Sequence, residues 1–370
     1  MLSLETGERK LLIEGGTSGR YVATGHIVYG RGGDLLAVPF DLDTLEVSGS
    51  PISVVEGVQV TPEAGNAEFG VSGTLLYARQ HAVVSREARW VTRDGRTDSV
   101  MEGRPWLQVP SPDGRYLAMW VEEANGTIFV HDIERGTSTR LVSGFDNHYP
   151  VWTPSSRRLA FRSNRGGPFN LYWQAADGSD EAEQLTSDHV QVPYSFSPDG
   201  KLLAFDELHP ESGFDIWILP MEGERSPEPY LRTQFNERAP AFSPDGRFIA
   251  YESNESGENE VFIQAYPGSG RKWRVSVDGG AAPQWNPEGQ ELFYLSGERM
   301  MVVDVDTQEE LSLGAPRLLF ETSAIFTRIL PDGQGFVIIQ LSENPSDFPD
   351  QLILVQNWTE ELKRLVPTDN

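Results

Sequence analysis

The sequence predicts an all-β fold: a propeller of four-stranded antiparallel blades, with one short helix at the C-terminus. Three observations predict it. A Ser-Pro-Asp-Gly turn recurs at a spacing of about 44 residues, and aromatic and aliphatic clusters recur in phase with it. The apolar residues alternate within short segments instead of falling at i, i+3, i+4 and i+7. Four short apolar segments per repeat of this length fit a propeller blade, where a helical repeat would need amphipathic stretches of ten or more residues.

The elements follow in order. Leu2–Leu4 and Lys10–Ile13 are two short apolar segments with no hairpin partner of their own, within a possible closing region 1–14. The first repeat, about 20–57, runs Tyr21–Tyr29 with a turn at Thr24-Gly25, then Leu35–Phe40 and Ile52–Val55. The second, about 67–102, runs Ala67–Arg79 around Ser72-Gly73, then Ala88–Val91 and the turn Arg93-Asp94-Gly95. Six stronger repeats follow, at about 107–143, 148–187, 192–233, 238–278, 281–321 and 325–357. Their turn prolines stand at 112, 154, 198, 244, 287 and 331, which are 42, 44, 46, 43 and 44 residues apart. Proline presets the first turn dihedral, Asp tolerates the bridge region, and Gly takes the positive φ that closes the hairpin with a bulge.

The flanks repeat as well. Trp152, Phe196, Phe242 and Trp285 stand two residues before their prolines. Leu159-Ala160-Phe161, Leu203-Ala204-Phe205, Ile249-Ala250-Tyr251 and Leu292-Phe293-Tyr294 follow at the same offset. A third apolar segment comes next, such as Ile128–Ile133 or Val261–Tyr266, and a shorter fourth one closes most repeats. After Leu352–Gln356, the residues Trp358, Leu362 and Leu365 have helical spacing, so the last repeat lacks its outer strand. The expectation is a single domain over 1–370 with eight blades, six or seven being the alternatives. Lys10–Ile13 is then expected to close the ring by pairing with Leu352–Gln356, because an unpaired edge is a liability.

With its Ser-Pro-Asp-Gly turns followed by Leu-Ala-Phe, the chain resembles the TolB-like family of β-propellers, a WD40-like repeat architecture. The resemblance is strong over about 105–341. Segments such as Tyr21–Tyr29, Phe235-Asn236-Glu237, Tyr251–Gly257 and Glu291–Tyr294 look closer still to propellers at the C-terminal end of bacterial receptor-type serine/threonine kinases. That resemblance implies an upstream kinase domain and membrane span in a longer signalling protein. The chain itself has no Gly-rich phosphate loop, catalytic loop or Asp-Phe-Gly, so it is not expected to be a kinase.

Composition narrows the function further. Across 370 residues, 55 acidic against 30 basic side chains leave a net charge of −25, the wrong sign for nucleic acid or anionic lipid. Cysteine is absent, which removes thiolate nucleophiles and Cys-based metal sites. No apolar run reaches transmembrane length, and Met1–Glu14 carries no signal-peptide apolar region. The chain is therefore expected to be cytoplasmic if it stands alone, and extracytoplasmic if it is the distal part of a receptor-type protein.

The search for chemistry mostly returns structural explanations. Gly-x-Ser-x-Gly is missing, and Gly16-Thr17-Ser18-Gly19 has the wrong spacing for a nucleophile elbow. No two of the six histidines stand at i, i+2 or i, i+4, so no local metal pair is expected. The acids Asp113, Asp199, Asp245, Glu288 and Asp332 are accounted for by turn formation, and Asn254–Glu260 by a solvated hairpin loop. Candidate binding residues are those six before each turn proline, where inner strands begin: Trp106, His148, Val192, Arg238, Ala281 and Ile325. Trp106, His148 and Arg238 are the chemically useful ones.

The mixed set fits recognition better than catalysis. The expectation is a non-catalytic propeller or sensor that binds a protein or peptide on one face, without cofactor or metal. The alternative is a gating or accessory propeller of a prolyl-peptidase-like hydrolase, whose catalytic domain this chain does not contain.

Overall fold

Each Ser-Pro-Asp-Gly turn folds the same way. The Asp199 carboxylate accepts the Ser197 hydroxyl at 2.6 Å and the Lys201 N–H at 3.1 Å, while the Leu202 N–H donates to the Ser197 hydroxyl at 3.0 Å. Ser111-Asp113 and Ser243-Asp245 repeat this pattern. Gly114, Gly200 and Gly246 take φ of 70°, 72° and 71°, and Ser156 takes 57° in the divergent Thr153–Ser156 turn. Successive turns also touch: a Cβ at Gly200 would lie 3.6 Å from the Pro154 ring, and one at Gly246 would lie 3.4 Å from Pro198. The proline and glycine of the motif thus serve both their own turn and the next repeat.

The computed structural model describes residues 10–367 except 14, 32, 59–68, 72–73, 79–85, 102–104, 122–125, 188, 269, 309 and 342–351. Among the described residues it contains 33 strands in eight sheets and one helix. Among the described residues the strand pairings are antiparallel, for example those within the third repeat's sheet. The chain divides into two compact units, Arg86–Leu341 and Met1–Ser85 with Ser342–Asn370.

In the unit Arg86–Leu341, the repeats at 105–142, 147–184, 190–231 and 237–274 are four-stranded sheets in simple sequence order. The fifth, Ala281–Glu321, has an additional short strand at Ser312–Leu313. Innermost strands such as Asn147–Trp152 are followed by second strands with buried centres, such as Arg158–Ser163. Leu159, Ala160, Phe161, Leu203, Ala204 and Phe205 are all 0% exposed, because each second strand is packed on both faces between neighbouring sheets.

The sixth sheet departs from the expected repeat order. Its strands run Phe326–Ile329, Gly335–Leu341, Arg86–Thr92 and Thr97–Met101. Gly335–Leu341 pairs in register with Arg86–Thr92, from Gly335 opposite Thr92 to Leu341 opposite Arg86. The second and eighth expected repeats have therefore exchanged halves. The remaining halves, Phe69–Val71, Leu75–Ala78 and Leu352–Val355, form a three-stranded sheet of their own. The physical reason lies in Gly335–Leu341, whose Phe336, Val337, Ile338 and Ile339 are buried. Such a strand needs a hydrogen-bonding neighbour on both edges, and Arg86–Thr92 supplies the second.

The unit formed by the chain ends contains a five-stranded sheet over Thr17–Val55, the three-stranded sheet and the helix Trp358–Leu365. The helix lies where its spacing predicted, with Trp358 and Leu362 buried against Val28, Leu35, Ala37 and Leu75. His26, 0% exposed, ties its end down. The His26 Nε2–H donates to the Val366 carbonyl at 2.7 Å, and Nδ1 accepts the Thr24 hydroxyl at 2.9 Å.

The expected closure by the N-terminus is corrected. Leu352–Val355 pairs with Leu75–Ala78, and residues 10–13 form no strand. Leu12 and Ile13 instead pack on Ile27, Tyr29, Val38 and Phe40. The hairpin Leu75–Ala78 already offers the aliphatic edge that Leu352–Val355 needs. Leu2–Leu4 and the Ser72-Gly73 turn lie outside the described residues. Thr17–Val22 is a strand, so Ser18 lies within a sheet.

Candidate functional site

Inner strands have one free edge, and their sequences use it. Pro150, Pro240 and Pro283 each stand four residues before a turn proline, where a strand paired on both edges would lose a hydrogen bond. The residue before each proline, Tyr149, Ala239 or Ala282, takes φ of 53°, 53° or 51°. The pairing register slips across the same residues, between His148 and Val151, Arg238 and Ala241, and Ala281 and Gln284. These are bulges, which bend a strand and re-aim its side chains.

Beyond the bulges, the inner strands of all six sheets in Arg86–Leu341 contribute to one cavity of about 510 Å³. Its wall is apolar and stiff, with Pro112, Pro154, Pro198, Pro244, Trp152 and Trp285 prominent. Several lining groups are committed to the neighbouring sheet. Trp152 donates its indole N–H to the Val109 carbonyl at 2.8 Å, and Trp285 donates to Ala241 at 3.0 Å. The Ser195 hydroxyl accepts the Phe242 N–H at 3.1 Å. Gln284 donates to the Thr327 hydroxyl at 2.8 Å and accepts the Ile329 N–H at 3.0 Å.

Arg328 and Tyr194 are the ionisable side chains lining the cavity. Arg328 donates a hydrogen bond to the Thr327 carbonyl, from Nη1 at 2.9 Å. Burial lowers its pKa, and the phenols Tyr194 and Tyr149 act in the opposite direction. Burial raises the Tyr194 hydroxyl well above its ordinary value, and the Asp206 charge adds to this.

Of the expected site residues, Arg238 begins an inner strand and pairs with Asp206 across 3.2 Å, its guanidinium 3.9 Å from the Phe214 ring centre. Asp206 is 0% exposed, and burial pushes its carboxyl up to about 6 even though Arg238 pulls it down. Burial also raises Glu252, which accepts the Ala282 N–H at 3.1 Å. Arg238 is itself pushed downward by burial but held above its ordinary value by Asp206, Tyr194 and Glu252.

His148 is buried in an aromatic nest, with ring centres of Trp120 and Phe169 at 4.4 and 5.3 Å. Neither ring nitrogen has a protein partner among the described residues. Burial, then the Arg162 charge, lowers its pKa to about 3, so it is neutral at physiological pH. Trp106 lies on the inner strand Pro105–Pro110.

Neither His148 nor Arg238 lines the cavity. Val192 and Ala281 lie on inner strands and Ile325 just precedes one, and they too fall outside the lining. The cavity draws on residues further along the same strands. The missed signal was the proline four before the turn, which at Pro150, Pro240 and Pro283 marks the bulge of its inner strand. Arg328 and Tyr194 carried no pattern of their own.

The remaining acidic features have local explanations. Among the described residues, no three His, Cys, Asp or Glu side chains converge as a metal site. Asp113, Asp199 and Asp245 each accept the hydroxyl and an N–H of their own turn, and Asp332 accepts the Gln334 N–H. Asn254 lies between the second and third strands and accepts the Asn236 N–H at 3.0 Å. Its counterpart Asn164 accepts Asp146 N–H at the same distance. Among the described residues, no helix is long and apolar enough to cross a membrane.

No family model matches the chain. A solved structure of a protein assigned as TolB from Agrobacterium tumefaciens superimposes with a TM-score of 0.59 at 17% identity, covering 70% of this chain and 99% of that one. An uncharacterized protein of Agrobacterium fabrum is 23% identical over 199 residues, covering 50% of this chain and 67% of its own length. Tricorn protease homolog 1 of Streptomyces coelicolor is 30% identical over 129 residues, which are 31% of this chain and 12% of that protein. The structural neighbours are TolB-like β-propeller proteins, and the chain contains a propeller domain of that kind.

Proposed function

We propose that Arg86–Leu341 is a closed six-bladed propeller that binds an extended protein segment or peptide in its central cavity, without turning it over. The order of neighbours supports the ring: each inner strand touches the next, and Phe326–Ile329 touches Pro105–Pro110. The sixth sheet, assembled from both ends of the unit, would be the clasp.

The observation that carries the binding role is the cavity itself. Its walls are prolines, tryptophans and backbone, held by cross-sheet hydrogen bonds before any ligand arrives. A preformed, mostly apolar concavity with a few fixed polar groups suits recognition, because little side-chain entropy remains to be lost. At about 510 Å³ it is large enough for a few residues of an extended chain. Its ionisable lining, Arg328 and Tyr194, does not make a nucleophile–base pair.

The test is selection of random peptides carrying a photo-crosslinker by the full chain, with cross-links mapped by mass spectrometry. Cross-links at Tyr194, Trp152 or Trp285 are expected, with peptides recovered intact. Absence of selected peptides, cross-links away from the cavity, or cleaved peptides would each reject the reading.

The alternative, an accessory propeller of a peptidase, draws on the segment shared with the tricorn protease homolog. It predicts that a separate catalytic chain co-purifies with this one. The kinase-linked sensor role rests on the sequence resemblance described above.

A further inference from the structure

We propose that the cavity recognises a carboxylate on its peptide ligand, and that Arg328 is the residue that receives it; this rests on the peptide-binding reading above. The argument begins with where the charges are. The buried acids nearest this region already have partners: Asp206 pairs with Arg238 at 3.2 Å, and Glu252 accepts the Ala282 N–H. Both act on Arg238. The groups acting electrostatically on Arg328 are phenols, Tyr194 and Tyr149, and among the described residues no carboxylate forms an ion pair with it.

Arginine presents five donors in a planar fork, and the bond to the Thr327 carbonyl uses a single one. Ser195, Gln284, Trp152 and Trp285 around it are committed to neighbouring strands. Arg328 is thus the cation that a wall of saturated groups leaves facing the cavity. Confining a guanidinium among prolines and indoles without a counter-charge is costly, and a ligand carboxylate removes that cost through a bidentate pair. The surrounding prolines would cover the ligand's apolar stem and keep water from the pair. A chain of net charge −25 repels acidic ligands at long range, so added salt eases their approach while the enclosed pair itself is screened much less.

The carboxylate has two sources in a peptide, the C-terminus and an Asp or Glu side chain, and the experiment separates them. The full chain and its R328Q and R328K variants are each offered random octapeptides, prepared both as free C-terminal acids and as C-terminal amides. Binders are identified by affinity-selection mass spectrometry and measured by calorimetry. Selected peptides should carry a carboxylate. Binding lost on amidation identifies the C-terminus, and binding kept in amides that contain Asp or Glu identifies a side chain. R328Q should weaken these ligands about tenfold or more, and R328K should restore part of the loss.

Peptides that bind without any carboxylate preference, and equally to R328Q, would overturn the role of Arg328 while leaving peptide binding intact. Failure of both peptide forms to bind would overturn both readings. A ligand-free measurement stands beside these. R328Q should melt at or above the temperature of the parent chain, because it removes a poorly compensated charge. A fall of more than about 5 °C would mark Arg328 as structural and overturn the proposal.

Discussion

Gly246 shows how one residue position supports two repeats. Its φ of 71° is the left-handed region, and its α-carbon faces Pro198 of the preceding turn. Gly246→Val should therefore cost on the order of 1–3 kcal/mol, as a β-branched residue is strained there and also meets the Pro198 ring. Denaturant melts of the variant check this, and an unchanged midpoint would contradict the turn geometry. Asp206 makes a prediction of the opposite kind. Its folded-state pKa of about 6 lies above the ordinary value of 3.8, so the folded protein holds this proton more tightly than the unfolded chain. Stability from this group is present below pH 4, is lost as pH rises toward 6, and levels off above that. Asp206→Asn removes the titration. The melting temperature of the parent chain should fall relative to the variant between pH 4 and 7, by the equivalent of about 1–3 kcal/mol. A difference constant across that range would show that Asp206 does not titrate there.

The sheet built from Phe326–Leu341 and Arg86–Met101 sets the behaviour of its unit. Ile338, 4% exposed, sits in the second strand opposite Arg89. Proline at 338 would remove a ladder donor from a strand that is paired on both edges. Ile338→Pro should raise amide exchange in Phe326–Ile329 and Arg86–Met101 together, though these segments lie far apart in sequence. Loss of protection confined to Gly335–Leu341 would mean that the strand is not the link between them. The six turns and second strands were legible from the sequence because their chemistry is local: a proline and a short hydrogen-bonding side chain, followed in five of the six by a glycine, fix each turn. Strand partnership at the ends of the array was not. Arg86–Thr92 and Leu352–Val355 are both plausible neighbours for any apolar edge, and sequence adjacency assigned each to the wrong one.

For the whole molecule, the division at Arg86 and Leu341 implies that the propeller unit carries its own core. A fragment spanning 86–341 should fold alone and melt in one cooperative transition, as seen by calorimetry and circular dichroism. A fragment lacking a cooperative melt would show that the chain ends are needed for its core. The sequence by itself determined the all-β class, the repeat length, the turn geometry and the terminal helix, because each depends on residues within a few positions of one another. Only the tertiary structure decided which halves of the second and eighth repeats pair, because edge hydrogen bonding is blind to side-chain identity and is settled by which strand is within reach. The same holds for the candidate site. Arg328, Tyr194 and the ring of prolines come from different repeats, and no spacing in the chain brings them together. Six inner strands turned toward one cavity, five of them bulged, do that.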